Sequence, residues 1–199
     1  MKERKPNRLK DFDYSQDGYY FVTICTRARK DFFGDIKEGK IGLNRYGEIV
    51  NQCWRDLARH YPNCSLDSFA IMPNHVHGII VIDNGDLVGN GLKPFPTRGL
   101  SEIIRGFKTF SSRKINEEIK IDNKFRWQKS FHDHIIRNDK SLENLMQYIM
   151  YNPLKWELDI ENKASAFRPL KSYYYEEIID GREGTVLKPF PPKSWRAKR

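Results

Sequence analysis

The sequence predicts an α+β fold in which helices pack on an antiparallel sheet. Two observations support this class. Short runs of aromatic and β-branched residues alternate with longer amphipathic segments, and their order is strand, helix, strand, strand, helix, strand, helix. The second and third strands are joined only by the turn residues Pro73 and Asn74. A βαββαβ order with one added helix is typical of a ferredoxin-like sandwich.

Each predicted strand is rich in residues that favour extended backbone, and each predicted helix has apolar residues every three or four positions. A residue suited to capping stands at or near the start of each helix. The third strand is apolar on both faces beyond its first residues, which indicates a central position in the sheet. The predicted strands are residues 19–26, 66–72, 75–82 and 132–137, and the predicted helix caps are Asn44, Ser101, and Asn138 or Asp139.

Length and charge favour one basic domain. The chain has 199 residues, of which 39% are hydrophobic, and this is enough for a single core. Its 35 Lys and Arg residues exceed its 26 Asp and Glu residues, giving a net charge of +9. Such a field attracts polyanions, above all nucleic acid. We expect the domain to span residues 19–175, between a basic N-terminal arm (1–18) and a basic, proline-containing tail (176–199).

Composition also excludes several classes. No stretch approaches the roughly 20 apolar residues that span a bilayer, and the charged N-terminus has no apolar run after it. We therefore expect a cytoplasmic protein without a membrane partner. Cys25, Cys53 and Cys64 are scattered and form no Cys-x-x-Cys pair, which argues against a disulfide framework or a cysteine zinc site. The segment LKPFP occurs at 92–96 and again at 187–191, and we attach no function to it.

The start of the third strand carries two histidines. Residues 72–78 read MPNHVHG, so strand alternation places His75 and His77 on one face. Alternate strand residues stand about 7 Å apart at Cα, which lets both imidazoles bind one metal ion. Two packed, hydrogen-bonded histidines at the end of a strand are the alternative interpretation. The pair alone does not decide between them.

The last predicted helix adds a tyrosine and an amide. At about 100° per residue, Tyr148 and Asn152 lie on one flank of its apolar stripe, whereas Tyr151 points away from that stripe. Two imidazoles and an amide oxygen leave positions open on a divalent ion, which could hold a phosphodiester and polarise its phosphorus. A tyrosine could attack that phosphorus, and the phosphotyrosine ester would conserve the energy of the broken bond.

Five segments in this order resemble the single-tyrosine HUH transposases, named for the pattern His, hydrophobic, His. The similarity is to the REP-associated tyrosine transposases, which are related to the transposases of small insertion sequences. It extends from about residue 8 to about residue 175. The segments are 20–26 (YFVTICT), 72–78 (MPNHVHG), 101–108 (SEIIRGFK), 127–128 with 134–138 (WQ and HIIRN), and 148–153 (YIMYNP).

The resemblance implies a metal-dependent enzyme that nicks single-stranded DNA and transfers strands through a 5′-phosphotyrosine, with DNA hairpins as its target. It implies that Tyr148 is the nucleophile and that His75, His77 and Asn152 bind Mg²⁺ or Mn²⁺. Tyr151 is a lesser candidate for the nucleophile. The expected partner is single-stranded or hairpin DNA, and the expected assembly is a monomer or a homodimer.

Further DNA contacts are predicted, each with a plainer alternative. Basic residues on the outer side of the second helix could contact phosphates or form a solvated face. Trp127 and Phe125 could stack on unpaired bases or pack in the core. His134 and Arg137 match the resemblance and could support the site, contact phosphate or make structural hydrogen bonds. The basic candidates on the helix are Arg105, Lys108, Arg113 and Lys114.

Two other functions fit parts of this pattern. A non-catalytic regulator that binds hairpin DNA or RNA would use the same positive charge and would not need Tyr148. A small-molecule enzyme could instead combine His75 and His77 with His132 and His134 in a four-histidine metal site. That site would require the two strands to be adjacent and to face the same way.

Overall fold

The computed structural model describes Leu9 and residues 11–85, 98–119 and 124–158. The predictions for the tail at 176–199, for both LKPFP segments and for half of the N-terminal arm (residues 1–8 and 10) fall outside these residues. Within the described ranges, none of the helices combines the length and the apolar composition that crossing a bilayer would require.

The secondary structure follows the predicted order, with one additional hairpin. Short 3-10 helices lie at Arg27–Arg29 and Pro153–Leu158. The other elements, in chain order, are β1 (Gly18–Cys25), β2 (Gly34–Lys37), β3 (Lys40–Leu43), α1 (Arg45–Arg55), α2 (Leu57–His60), β4 (Cys64–Met72), β5 (His75–Ile82), α3 (Leu100–Glu118), β6 (His132–Ile136) and α4 (Asp139–Tyr151).

A four-stranded sheet with the order β4-β5-β1-β6 forms the centre of the fold. Every neighbouring pair is antiparallel, and β5 lies between β4 and β1 as its apolar faces predicted. Strands β1 and β4 flank β5 although α1 joins them in the chain, which is the split βαβ connection of a ferredoxin-like fold. The predicted fold class is confirmed.

Helices cover both faces of the sheet. Alternate residues of β1 and β5, such as Val22 and Ile80, face α1 and α3 and pack with Trp54 and Phe107 in the larger core. The opposite face carries a smaller cluster under α4. Its buried members are Phe21, Ile79, Ile136, Leu145 and Ile149. The added helix therefore has a sheet face of its own, and this face also carries the histidines of β5.

The helix starts agree with two of the three predicted caps. The Asn44 side chain accepts hydrogen bonds from the backbone N–H groups of Tyr46 and Gly47, and the Asn138 side chain accepts from that of Ser141. The prediction that Ser101 caps α3 is wrong.

Helix α3 begins two residues earlier than predicted, at Leu100, with Gly99 rather than Ser101 as its N-cap and no side-chain cap bond. The N–H of Leu100 instead donates to the backbone oxygen of Tyr14 at 2.9 Å. The segment before β1 therefore satisfies a backbone donor at the start of this helix, which a capping side chain would otherwise do.

The sequence analysis missed the hairpin β2–β3. Its strands have only four residues each, and Glu38 and Gly39 turn between them at φ values of 51° and 71°. The first predicted helix is also divided, because α1 ends at Arg55 and the one-turn helix α2 follows Asp56. Short strands and one-turn helices leave too little periodicity in a sequence to be recognised.

The three cysteines are buried and form no disulfide bond. Their scattered positions in the sequence had argued against a disulfide framework. Burial raises the pKa of the Cys64 thiol to about 12 and also raises that of Cys53. These thiols therefore stay protonated near neutral pH and act as small apolar packing residues.

Strand β5 and helix α1 approach each other closely at Gly78. A Cβ atom there would lie 2.3 Å from Cζ2 of the fully buried Trp54. Gly78→Ala is therefore expected to lower the free energy of unfolding by about 1–3 kcal/mol through overpacking, as measured by urea denaturation. The matched control is Gly85→Ala at an exposed position, with an expected change below about 0.5 kcal/mol. Equal stabilities for the two variants would contradict the close approach.

Candidate active site

Strand β5 begins with two fully buried histidines on the α4 face of the sheet. The exposed fraction of His75 and of His77 is 0%. Their ring centroids lie 4.2 Å apart, with an angle of 71° between the ring planes. The two rings therefore lie side by side on one face, as strand alternation predicted.

Each imidazole has a polar partner at Nδ1. His75 Nδ1 lies 2.8 Å from Oδ1 of Asn74, which forms the turn between β4 and β5. His77 Nδ1 lies 2.9 Å from Oγ1 of Thr23, its cross-strand partner in the β1–β5 ladder. These partners come from two different elements, and both are nearly inaccessible to solvent. The histidines are thus held in place by buried, uncharged groups.

Helix α4 brings Tyr148 to this pair. Tyr148 Oη lies 3.1 Å from His77 Nε2, and the two ring centroids are 5.1 Å apart. Phe21 packs beside both, with its ring 5.5 Å from that of His77 and 6.1 Å from that of Tyr148. Leu145 and Ile149 hold the helix on this face of the sheet. The tyrosine therefore reaches the histidine pair of its own chain.

Asn152 ends α4 and is 3% exposed. Four residues before it, Tyr148 contacts His77, and four residues after it, Trp156 stacks on His75 with ring centroids 5.9 Å apart. Along the chain, Asn152 thus lies between two residues that contact the histidine pair. Its Oδ1 is buried and has no hydrogen-bond partner among the described residues. Leaving such an acceptor unsatisfied costs about 1–3 kcal/mol, so this oxygen is available to a ligand.

These residues fit a divalent metal ion. Nδ1 of each histidine contacts a neighbouring side chain, so Nε2 is the ring nitrogen that could bind a metal ion. Asn152 offers a carbonyl oxygen. No cluster of three or more His, Cys, Asp or Glu side chains that could hold a metal ion occurs in the described part of the chain. The buried amide oxygen of Asn152 is therefore a candidate for the third ligand.

The second histidine pair lies on the same sheet face but not at the same site. The register places Thr23 opposite both His77 and His132, so that β1 lies between β5 and β6. Strands that are two positions apart are separated by roughly 10 Å. The four-histidine hypothesis required adjacent strands and is wrong. His134 is partly buried opposite Phe21.

The basic residues of α3 lie on the other side of the sheet from the histidine pair, because α3 packs in the core shared with α1. Arg105 is exposed and lies 3.4 Å from Glu102, and Arg113 is exposed and lies 3.8 Å from Glu117. Lys114 is exposed as well. The sheet separates these predicted phosphate contacts from the candidate active site. Arg137 is exposed just beyond β6.

Two other predicted DNA contacts have structural partners. The Lys108 ammonium donates to the backbone oxygens of Gln128 and Ser130, at 3.1 and 2.8 Å, and so ties the segment before β6 to α3. Trp127 is 8% exposed, and its indole N–H donates to Ser111 Oγ at 2.9 Å. Phe125 is also buried. Both aromatic residues therefore pack in the core.

The sequence analysis assigned no role to three residues that contact the histidines, namely Thr23, Asn74 and Trp156. Thr23 is a polar residue in an otherwise apolar strand, and this was a usable signal. Its contact with His77 depends on the register of two strands that are far apart in sequence. Trp156 follows the last recognisable helical pattern, so nothing in the sequence related it to His75.

Comparisons with known proteins identify a family. Residues 14–152 match the family model described as "Transposase IS200 like". An uncharacterised protein of Haemophilus influenzae (strain ATCC 51907 / DSM 11121 / KW20 / Rd) is 36% identical over 173 residues, covering 80% of this chain and 93% of that protein. A second protein of the same organism, named as a REP-associated tyrosine transposase, is 28% identical over 188 residues, covering 88% and 95%.

A solved structure gives independent support for the fold. The REP-associated tyrosine transposase bound to a REP hairpin superposes with a TM-score of 0.54 at 19% sequence identity, covering 91% of this chain and 94% of that one. The family match includes His75, His77, Tyr148 and Asn152. The chain belongs to the IS200-like transposases, a family of DNA-processing enzymes, as its resemblance to the tyrosine transposases predicted.

Proposed function

We propose that this protein nicks single-stranded DNA beside a hairpin and transfers the cut strand through a covalent 5′-phosphotyrosine on Tyr148. The observation that carries the proposal is the 3.1 Å contact between Tyr148 Oη and His77 Nε2 within one chain. Hairpin DNA as the substrate is supported by the related transposase whose structure contains a REP hairpin, and by the net charge of +9.

In this proposal the reaction exchanges one phosphate ester for another. Tyr148 Oη attacks the scissile phosphorus, an Oη–P bond forms, and the bond from phosphorus to the 3′ oxygen of the preceding nucleotide breaks. That oxygen leaves as a 3′-hydroxyl after it takes up a proton. The phenol loses its own proton during the attack, and a phenol ordinarily titrates near pH 10. Attack by a 3′-hydroxyl on the phosphotyrosine reverses the step without ATP.

The proposed metal ligands are His75, His77 and Asn152, and the proposed ion is Mg²⁺ or Mn²⁺. Bound there, a divalent ion would withdraw charge from the scissile phosphate and polarise its phosphorus. Imidazole nitrogen suits first-row transition metals better than it suits Mg²⁺, which prefers oxygen ligands. We therefore expect Mn²⁺ to bind more tightly than Mg²⁺.

The contact between Tyr148 and His77 should compete with metal binding, because both use Nε2. Tyr148→Phe removes the contact and is expected to tighten Mn²⁺ binding about 2- to 10-fold in the absence of DNA, the equivalent of one net hydrogen bond. Isothermal titration calorimetry measures this change. Tyr151→Phe is the matched control and should bind like the parent. Weaker Mn²⁺ binding by Tyr148→Phe would contradict the competition.

We also propose that a monomer is sufficient for the first cut, because the tyrosine reaches the histidines of its own chain.

The test of the proposed function is to incubate the protein with a single-stranded hairpin oligonucleotide and Mn²⁺ and to separate a covalent adduct on a denaturing gel. An adduct with the 5′ end of the cut strand supports the proposal. Hairpin binding without any cleavage would favour the regulator instead.

A further inference from the structure

The Nδ1 atoms of the two histidines contact side chains from two different elements. Asn74 comes from the turn that precedes β5, and Thr23 from the neighbouring strand β1. Neither partner is charged. The other ring nitrogen of His77, Nε2, faces Tyr148, so the two nitrogens of this ring have separate partners on opposite sides.

The partner of His75 fixes which of its nitrogens carries the proton. The Asn74 amide nitrogen lies 3.4 Å from the backbone oxygen of Arg29, which orients the amide and leaves Oδ1 towards His75. An amide oxygen only accepts hydrogen bonds, so Nδ1 of His75 is the donor. The lone pair of this imidazole is therefore at Nε2.

The contacts of His77 with Thr23 and Tyr148 also indicate that its proton is at Nδ1. Both the Thr23 hydroxyl and the Tyr148 hydroxyl are able to donate or accept. A phenol is a stronger acid than an aliphatic alcohol and is therefore the better donor of the two. This difference favours Tyr148 O–H as the donor to Nε2, with Nδ1–H of His77 donating to Thr23 Oγ1.

We propose that Thr23 and Asn74 are positioning residues that hold both imidazoles with the proton at Nδ1 and the lone pair at Nε2, ready to bind one metal ion. This inference rests on the proposed metal site of His75 and His77. In metalloproteins, losing such a partner of a histidine ligand typically weakens metal binding about 10- to 100-fold.

The uncharged character of both partners suits the proposed substrate. A carboxylate is a common partner of metal-bound histidine and would place a buried negative charge beside the site. The scissile group here is a phosphodiester anion, which such a charge would repel. A hydroxyl and an amide orient the imidazoles without this repulsion.

The test compares Thr23→Val, which keeps the shape of the side chain and removes its hydroxyl, with Thr23→Ser, which restores the hydroxyl. Long-range ¹⁵N–¹H NMR of metal-free protein at alkaline pH reports which nitrogen of His77 is protonated. We expect Nδ1–H in the parent and in Thr23→Ser, and a smaller share of the Nδ1–H form in Thr23→Val, where only the Tyr148 hydroxyl still favours it. Mn²⁺ titration should show binding about 10- to 100-fold weaker for Thr23→Val and within about 3-fold of the parent for Thr23→Ser.

The same pair of measurements applies to Asn74→Asp, which keeps the acceptor, and Asn74→Ala, which removes it, with urea unfolding to verify that each variant folds. An unchanged proton position and an unchanged Mn²⁺ affinity in Thr23→Val would overturn the positioning role. If the NMR changes appear as expected but the parent itself binds no Mn²⁺, the proposed metal site fails and the orienting role of Thr23 stands.

Discussion

Replacing Tyr148 by phenylalanine is expected to reduce the yield of the covalent protein–DNA adduct about 10³-fold or more, because the substitution deletes Oη, the proposed attacking atom. The fold should be unaffected, since Tyr148 is partly exposed and its ring remains against Phe21 and His77. The measurement is the yield of adduct on a denaturing gel, with the hairpin oligonucleotide labelled at its 3′ end, which stays on the strand that becomes linked to the protein.

Tyr151→Phe is the matched control, because Tyr151 lies on the same helix and is also partly exposed. This variant should form the adduct as the parent does, and both variants should bind the hairpin with parent affinity. Adduct formation by Tyr148→Phe together with its loss in Tyr151→Phe would transfer the assignment to Tyr151. Adduct formation at parental yield in both variants would require a different nucleophile.

Replacing either histidine of β5 by glutamine is expected to reduce Mn²⁺-dependent nicking about 10²- to 10³-fold and to abolish Mn²⁺ binding in calorimetry. Glutamine keeps a polar side chain of similar length, so the effect reports the loss of an imidazole. His60→Gln is the control, because His60 is exposed on α2 and packs against Phe110 rather than near the site.

Hairpin binding should survive both histidine substitutions, because the affinity comes mainly from basic side chains that contact phosphates. A salt titration of hairpin binding should give the same slope for His75→Gln, His77→Gln and the parent. Nicking by the parent in the presence of excess EDTA would show that the imidazoles act without a metal ion.

The arrangement of the site could be predicted in part from local periodicity. The two-residue repeat of a strand was enough to place His75 and His77 on one face, and the 3.6-residue repeat of a helix was enough to place Tyr148 on the same flank as Asn152. Neither repeat indicates which sheet face a helix covers. The position of α4 on the sheet face opposite α1 and α3 depends on tertiary packing, and this position brings Tyr148 to His77.

Contacts between distant segments account for what the sequence analysis missed. Thr23 meets His77 because of the β1–β5 register, which depends on the packing of both sheet faces. Trp127 matched a stacking residue in type, but its neighbours Phe33, Phe107 and Phe125 enclose it in the core. Lys108 lies on the outer side of its helix in projection, yet a loop from later in the chain reaches it.

Access to the two histidines is linked to the alignment of Tyr148, because Tyr148 is one of the residues that cover them. Tyr148 lies against His77 and Trp156 against His75, and one short stretch of chain, from the end of α4 into the 3-10 helix, carries both. Moving this stretch as a unit would therefore uncover the imidazoles and reposition the phenol together. In the proposed reaction, entry of the phosphate and alignment of the tyrosine would then be coupled, and substitutions that loosen the packing of α4 at Leu145 would alter both.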